Sequence, residues 1–304
     1  MYIVSNYIHI VFICLFCKMD TLKDIPDQQT TGLKRNTIDK YYTSDNAVKQ
    51  CMEKIRECVS INPDDLCVEP CAGRGAFIPS IKSMFNHYQF YDIDPSHSEV
   101  KRQNYFNFDV SSNILSVADN HPAIHVIGNP PFGRQSSHAV KFIKKSAEYC
   151  DSISFILPRS FKKNSMRKRF PPRFHLVHEH DIPEDAFVVN DASYNVPCIF
   201  QVWVKRDTDR EMPVEIEPRG YIFVKKSEDH DICIRRVGVY AGKIDRATQD
   251  KSDQSHYFVK FDKELTEPIY EKLDAVEFSG KTNTVGPRSI SKPEVIAEYN
   301  QIIP

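Results

Sequence analysis

Neither sign of charge dominates this chain. Forty Lys and Arg face 41 Asp and Glu, a formal net charge of −1 over 304 residues. There is thus no global electrostatic footprint for nucleic acid, and any contact with phosphates has to come from basic residues concentrated on one face. Internal repeats and low-complexity tracts are absent, and the composition, 41% hydrophobic and 27% charged, is that of an ordinary globular protein. Cys14-x-x-Cys17 has no second pair at metal spacing, so a zinc site is not expected. Long apolar runs are also missing. The opening "MYIVSNYIHIVFICLFCKMD" holds an apolar stretch of about fifteen residues, too short for a comfortable membrane span. It lacks the basic start and small-residue cleavage site of a signal peptide. Met19 follows at once with a polar beginning, so residues 1–18 are expected to lie upstream of the functional start, as a non-native or disordered segment. A membrane anchor is the alternative, and stable membrane association is not expected. Nine cysteines, an odd number scattered through apolar segments, fit buried thiols in a reducing, intracellular compartment, cytoplasmic or nuclear.

What is present is an alternation of helical and strand-like patterns. "SDNAVKQCMEKIRECV" offers Ser44 as an N-cap and apolar residues at Ala47, Val48, Cys51, Met52, Ile55 and Val59, which is helical spacing. Short apolar runs follow at Leu66–Val68, Tyr88–Tyr91, Tyr105–Phe108, Ile124–Ile127 and Ile153–Leu157, with the amphipathic "SSHAVKFIKKSAEYC" between the last two. "FHLVHEHDI" and "VPCIFQVWVKR" bring the expected strands to about seven. Short strands separated by helices predict an α/β, Rossmann-like fold with a parallel sheet covered on both faces. Residues 19–206 are read as this domain, the charged, proline-containing 207–220 as a linker, and 221–304 as a small β-rich module ending in a helix near "KPEVIAEYNQI".

Ligands of open parallel sheets bind outside the carboxyl ends of the strands. After the first strand comes Glu69-Pro70-Cys71-Ala72-Gly73-Arg74-Gly75, whose glycines permit a tight turn and close approach of a ligand. Asp92 ends the next strand 19 residues past Gly73, where a carboxylate would hold a ribose hydroxyl pair. Either feature alone is equally read as a plain strand-to-helix turn or a surface acid; their order and spacing together point to a nucleoside. The third glycine of a dinucleotide fingerprint is replaced by Ile78, and no Gly-Lys-Ser/Thr follows the turn. A cofactor with a ribose but no pyrophosphate fits better, which means S-adenosylmethionine.

"HVIGNPPFGRQ" sends another apolar strand straight into Asn129-Pro130-Pro131-Phe132. Two consecutive prolines can neither continue a helix nor donate to a sheet ladder, so the strand must stop there. The plain reading is a strand terminator with Phe132 in the core. Two further features lie downstream. "PRSFKKNSMRKRFPPR" gathers Arg159, Lys162, Lys163, Arg167, Lys168, Arg169 and Arg173 near the same edge, as a phosphate contact or a solvated helix face. His175, His178 and His180 alternate along one strand and are expected to be ordinary surface or satisfied histidines rather than ligands.

In that order, "EPCAGRGAF", "FYDIDP", "NFDVSS" and "NPPFG" resemble the class I S-adenosylmethionine-dependent methyltransferases that modify exocyclic amino groups, over roughly residues 36–206. The resemblance implies a seven-stranded sheet of that class, a glycine loop around the methionine part of the cofactor with Glu69, Gly73 and Gly75, Asp92 at the ribose and Asp109 at the adenine amino group. "DKYYTSDNAV" is similar to an upstream cofactor-binding segment, which carries over to Thr43, although Ser44 stands where that segment often has proline. It further implies that Asn129 and the carbonyl of Pro130, aimed by Pro130 and Pro131, accept the two hydrogens of an adenine N6 amine while Phe132 stacks on the base. The expected activity is N6-adenine methylation of DNA, with residues 221–304 gripping or selecting the substrate. The same chemistry on RNA is the alternative; methylation of a protein glutamine N5, for which tyrosine usually replaces Phe132, and a catalytically dead binding subunit fit less well.

Overall fold

A computed structural model describes residues 42–109, 123–184, 186–189 and 192–304. Residues 1–18, Met19, Cys14, Cys17 and the Val110-Ser111-Ser112 end of the third motif lie outside the described residues.

The described chain begins with a two-residue strand, Tyr42–Thr43 (β1), and the helix Asp45–Cys58 (α1). Ser44 is extended and its hydroxyl accepts the Ala47 N–H at 3.4 Å, the N-cap expected from its position. Ala47, Val48, Cys51, Met52 and Ile55 form the buried face of α1. Leu66–Glu69 (β2) is buried throughout, as a strand covered on both faces must be. A five-residue helix, Ile78–Lys82 (α2), leads to His87–Asp92 (β3) and the short Lys101–Arg102 (β4). Ile124–Gly128 (β5), the helix Ser137–Ala147 (α3), Ser152–Pro158 (β6) and a single turn Asn164–Arg167 (α4) follow. Then come Phe174–Asp181 (β7), Phe187–Val189 (β8), Ala192–Tyr194 (β9) and Cys198–Lys205 (β10).

Seven strands form one sheet in the order β4-β3-β2-β5-β6-β10-β7. Along β4-β3-β2-β5-β6 every pairing is parallel, whereas β10 runs antiparallel to both β6 and β7. The sheet is therefore mixed where a parallel one was expected. From β2 the chain first builds toward β4 and then returns to add β5 on the other side. The crevice between β2 and β5 is thus the switch point at which open α/β sheets bind ligands.

One expected strand is not a strand. Tyr105–Asn107 is a 3₁₀ turn in which Asn104 Oδ1 caps the Phe106 N–H at 3.0 Å. Tyr105 and Phe108 both point into the core beneath it, packed with Phe142 and Tyr149, a spacing of three that a turn satisfies and alternation does not. At the opposite, amino edge of the sheet, Asp65, His125 and Ser152 form a buried chain. His125 Nδ1 lies 2.7 Å from Ser152 Oγ and Nε2 lies 3.1 Å from Asp65 Oδ2. Asp65 also accepts the N–H groups of Asn62 and Ala123. With all three residues under 10% exposed, this is a staple across three strands, not a nucleophile open to substrate.

The C-terminal module is a four-stranded antiparallel sheet in the order β11-β14-β12-β13, made of Tyr221–Val224 (β11), Ile232–Arg235 (β12), Ile244–Asp245 (β13) and His256–Phe261 (β14). The helices Glu267–Asp274 (α5) and Lys292–Tyr299 (α6) accompany it; α6 starts with a capping box of Ser291 and Glu294. Its core joins Tyr221, Ile232, Ile234 and Val259 to Leu273, Val295 and Tyr299.

Residues 211–217 are exposed. Arg210, just before them, is not loose. Its guanidinium donates to the carbonyls of Pro171, Phe174, Arg167 and Phe170 at 2.6, 2.7, 3.1 and 2.9 Å, closing the end of α4 and the turns after it.

Candidate active site

The loop after β2 is fixed from below by β3: the Ala72 N–H donates to the Tyr91 carbonyl at 2.8 Å. It then turns through Gly73 at φ 51° and Gly75 at φ 83°, conformations in which a side chain would be strained. At Gly75 space adds to the demand, since a Cβ would lie 2.8 Å from Ile78 Cδ1 and 3.0 Å from the His97 ring. Asp92 receives the turn. Its Oδ2 accepts the Gly73 N–H at 2.8 Å and its Oδ1 accepts the Asp94 N–H at 2.8 Å, which holds the carboxylate at the end of β3. Ile93, immediately after it, is 64% exposed, an apolar surface beside the acid.

Glu69 is the unusual group. It is 2% exposed at the end of β2, and its Oε2 has no hydrogen-bond partner. Burial first, and then the neighbouring Asp92 carboxylate, push its pKa up to about 8. Gly128, the last residue of β5, lies directly against it; a Cβ there would sit 3.4 Å from Glu69 Cγ and 3.6 Å from Cys71 Sγ. The Cys71 thiol is raised as well, by burial and then by Glu69 and Asp92, and so stays protonated and inert. β2 and β5 thus bring Glu69, Cys71 and the Asn129 backbone to one point of the crevice.

Asn129 follows β5 and its side-chain amide donates to Thr43 Oγ1 at 3.2 Å, a link between residues 86 positions apart. Thr43 is itself held by β1, whose residues Tyr42 and Thr43 pair with Val188 and Phe187 of β8. The Ser44 N–H donating to the Ala186 carbonyl at 2.8 Å extends that pairing. Tyr42 completes the wall: the Arg74 guanidinium lies 3.9 Å from its ring centroid, and the ring faces the position where a Gly73 Cβ would be. Neither Tyr42 nor Arg74 was expected from sequence. An aromatic before a threonine and a basic residue between two glycines were the available signals.

Phe132 is 7% exposed and packs in the larger core cluster, so an open stacking face is not what the ring presents; it would have to turn outward to meet a base. The chain after it is strained. Gly133, Gln135 and Ser136 take φ of 68°, 52° and 62°, and two non-glycine residues in the left-handed region cost roughly 1–2 kcal/mol each. Such strain persists only where the surroundings enforce it, as they often do beside functional sites. Asp109 is exposed after the Tyr105–Asn107 turn.

The basic segment after β6 is largely spent on internal pairing. Arg159 and Lys162 both pair with Asp181, Arg167 with Glu179, and Lys168 with Glu215. Lys163 reaches the C-terminal module, donating to Glu294 Oε2 at 3.1 Å and to the Ser289 carbonyl at 2.8 Å. These side chains tie elements together, whereas Arg169 is exposed and Arg173 pairs with the exposed Asp207. His178 and His180 bond to each other at 2.8 Å, and His175 bonds to the Thr208 carbonyl. Among the described residues no cluster of His, Cys, Asp and Glu is arranged to hold a metal, and no helix is long and apolar enough to cross a membrane.

A scan against protein-family models and a search of curated protein sequences find no match. Solved structures do resemble the chain. A proposed RNA methyltransferase of Pyrococcus horikoshii shares 17% identity over 58% of this chain and 92% of its own, with a TM-score of 0.42. The 23S rRNA methyltransferase ErmE shares 12% over 56% and 71%, with a TM-score of 0.40. A proposed class I S-adenosylmethionine-dependent methyltransferase of Listeria monocytogenes shares 13% over 57% and 64%, with a TM-score of 0.40. These likenesses are distant.

Proposed function

We propose that this protein is an S-adenosylmethionine-dependent methyltransferase that acts on the N6 amine of adenine in a nucleic-acid strand, with DNA as the favoured polymer. The observation that carries the proposal is the placement of Asn129, held by Thr43, across the same crevice as Asp92, Gly73 and the unpartnered Glu69. A cofactor fits the residues present. A buried Glu69 oxygen without a partner, on a carboxyl that a neighbouring cation would ionise, suits the ammonium group of an amino acid, and a carboxylate fixed by two backbone donors suits a ribose diol. Gly73 leaves the room above the turn that a side chain would take. Ile93 offers apolar surface to a nucleobase. Once bound there, S-adenosylmethionine supplies an electrophilic methyl group.

The protein's part is orientation. An adenine amine is a poor nucleophile because its lone pair is delocalised into the ring, and no base strong enough to deprotonate it is required. The Asn129 amide is oriented by its bond to Thr43, and its oxygen is the end assigned to the amine. With the carbonyl of Pro130, whose direction two proline rings restrict, it accepts the two amine hydrogens and localises the lone pair. This is preorganisation rather than acid–base catalysis. Bringing the base out of a duplex costs a few kcal/mol; Phe132 would return part of that only after leaving its packed position.

The test is incubation of the full chain with methyl-labelled cofactor and separate pools of DNA, RNA and protein, followed by mass spectrometry of the modified nucleoside. Label in N6-methyladenine of DNA is the expected result. Label in RNA moves the same chemistry to the other polymer, and label in glutamine overturns the assignment of the acceptor.

A further inference from the structure

A cavity of about 580 Å³ opens in the C-terminal module, lined by Phe223, Lys225, Lys226, His256, Tyr257 and Lys292 among others. Its wall interleaves cations with aromatic rings. Lys292 Nζ lies 4.7 Å from the Phe223 ring centroid and 5.9 Å from that of Tyr257, while the Arg236 guanidinium lies 5.5 Å from the Tyr257 centroid. Phe223 and Tyr257 meet edge to face at 5.7 Å, so each ring is held by the other and by a cation. β11 and β14 carry the two rings side by side, and α6 begins at Lys292.

The charge at this cavity differs from that of the segment after β6. Among the described residues none of Lys225, Lys226, Arg236 and Lys292 sits in an ion pair, and all four are exposed. One carboxylate, Asp253, is in the lining. In a chain of net charge −1 whose other basic cluster is largely paired internally, Lys225, Lys226 and Lys292 of the lining, with Arg236 against Tyr257, form a concentrated positive site. Single-stranded nucleic acid presents what such a wall complements: phosphates at regular spacing and base faces that stack without sequence preference.

The geometry points to this cavity as a groove for a single-stranded stretch of the substrate, distinct from the Asn129 crevice. Lys225, Lys226, Arg236 and Lys292 meet phosphates, and Phe223 and Tyr257 meet base faces. The inference shares with the proposed function the choice of nucleic acid as substrate, but not the methyl transfer.

The test is fluorescence anisotropy of the full chain with labelled oligothymidylate and oligouridylate, which contain no adenine, at two salt concentrations. Lys292→Glu and the double variant Lys225→Glu/Lys226→Glu change only exposed side chains. Each is expected to weaken binding at least about fivefold, and loss of two phosphate contacts should reduce the salt slope by about 1.4. Phe223→Leu keeps the bulk but removes the stacking face and should weaken binding with the slope unchanged. Tighter binding of one oligomer names the polymer. Variants that bind as the wild type does, or a blunt duplex bound as tightly as the single strands, overturn the groove. Because the probes carry no methyl acceptor, failure of methylation on adenine substrates would refute the catalytic reading and leave these affinities standing.

Discussion

The side-chain amide of Asn129 donates to the hydroxyl of Thr43 across 3.2 Å. The residue expected at the acceptor amine is therefore positioned by the one expected at the cofactor. Removing this bond should loosen Asn129 without emptying the crevice. A neutral hydrogen bond is worth about 0.5–1.5 kcal/mol, so Thr43→Val should lower kcat by about 2–12-fold. Thr43→Ser should restore it. Cofactor affinity measured alongside separates the roles: a matching loss of affinity would place Thr43 on the cofactor instead.

Asn129→Ala should remove turnover while cofactor Kd stays within a few-fold of wild type. Loss of one preorganised polar group at the reacting centre costs about 100–1000-fold in kcat. Single-turnover kinetics with calorimetric titration checks both halves. A variant retaining wild-type turnover would end the mechanism.

Asp92→Ala should weaken cofactor binding by about 1.5–3 kcal/mol, the range of a charge-assisted hydrogen bond. The same change strips the acceptors from the Gly73 and Asp94 N–H groups. Asp92→Asn, which keeps a carbonyl acceptor, should therefore melt closer to wild type while still binding poorly. Unchanged affinity in both variants would remove the ribose assignment.

Glu69 makes the site sensitive to pH. Its pKa rises from the ordinary carboxylate range to about 8 in the folded chain, so the folded state holds a proton that the unfolded state releases. Its contribution to stability is fully present below the unfolded pKa and is lost as pH rises through about 8. A cationic ligand group reverses the preference by favouring the ionised form. Cofactor binding near neutral pH should thus expel a proton, seen as a dependence of calorimetric heat on the buffer's ionisation enthalpy. Glu69→Gln should abolish that dependence.

Asp65 lies far from the chemistry and should affect only stability. Asp65→Ala leaves the Asn62 and Ala123 N–H groups and His125 short of an acceptor at the buried amino edge. Stranding buried polar groups costs about 1–3 kcal/mol each, less where a group relaxes toward solvent. A lower urea midpoint with unchanged kcat per folded molecule is the expected result.

Much of this architecture was legible in residue order. The helical spacing of Ala47, Val48, Cys51, Met52 and Ile55, capped by Ser44, gave α1 directly, and the Pro130-Pro131 stop located the end of β5. The direction of β10 was not legible, because an apolar strand buried on both faces reads the same in either orientation. β11 was lost against the linker it follows, and the short α5 was not anticipated. The internal pairing of the basic segment was hidden for a different reason. Its partners Glu179, Asp181, Glu215 and Glu294 are up to 131 residues away, and pairing at such separations exists only after folding. Phe132 shows the same limit: composition says that an aromatic follows the prolines, while only packing decides whether its face is open.

Arg210 bears on how the chain can be divided. It falls within the stretch that composition marks as a linker, yet its guanidinium closes four carbonyls of the α/β half. Heredity by recombination, or an engineer grafting another C-terminal module, would find that a junction before it leaves those carbonyls open, and that one after it does not. The usable seam lies in the exposed residues 211–217. Even there Lys163 and Lys168, which hold Glu294 and Glu215, would have to be refitted to the new arrival.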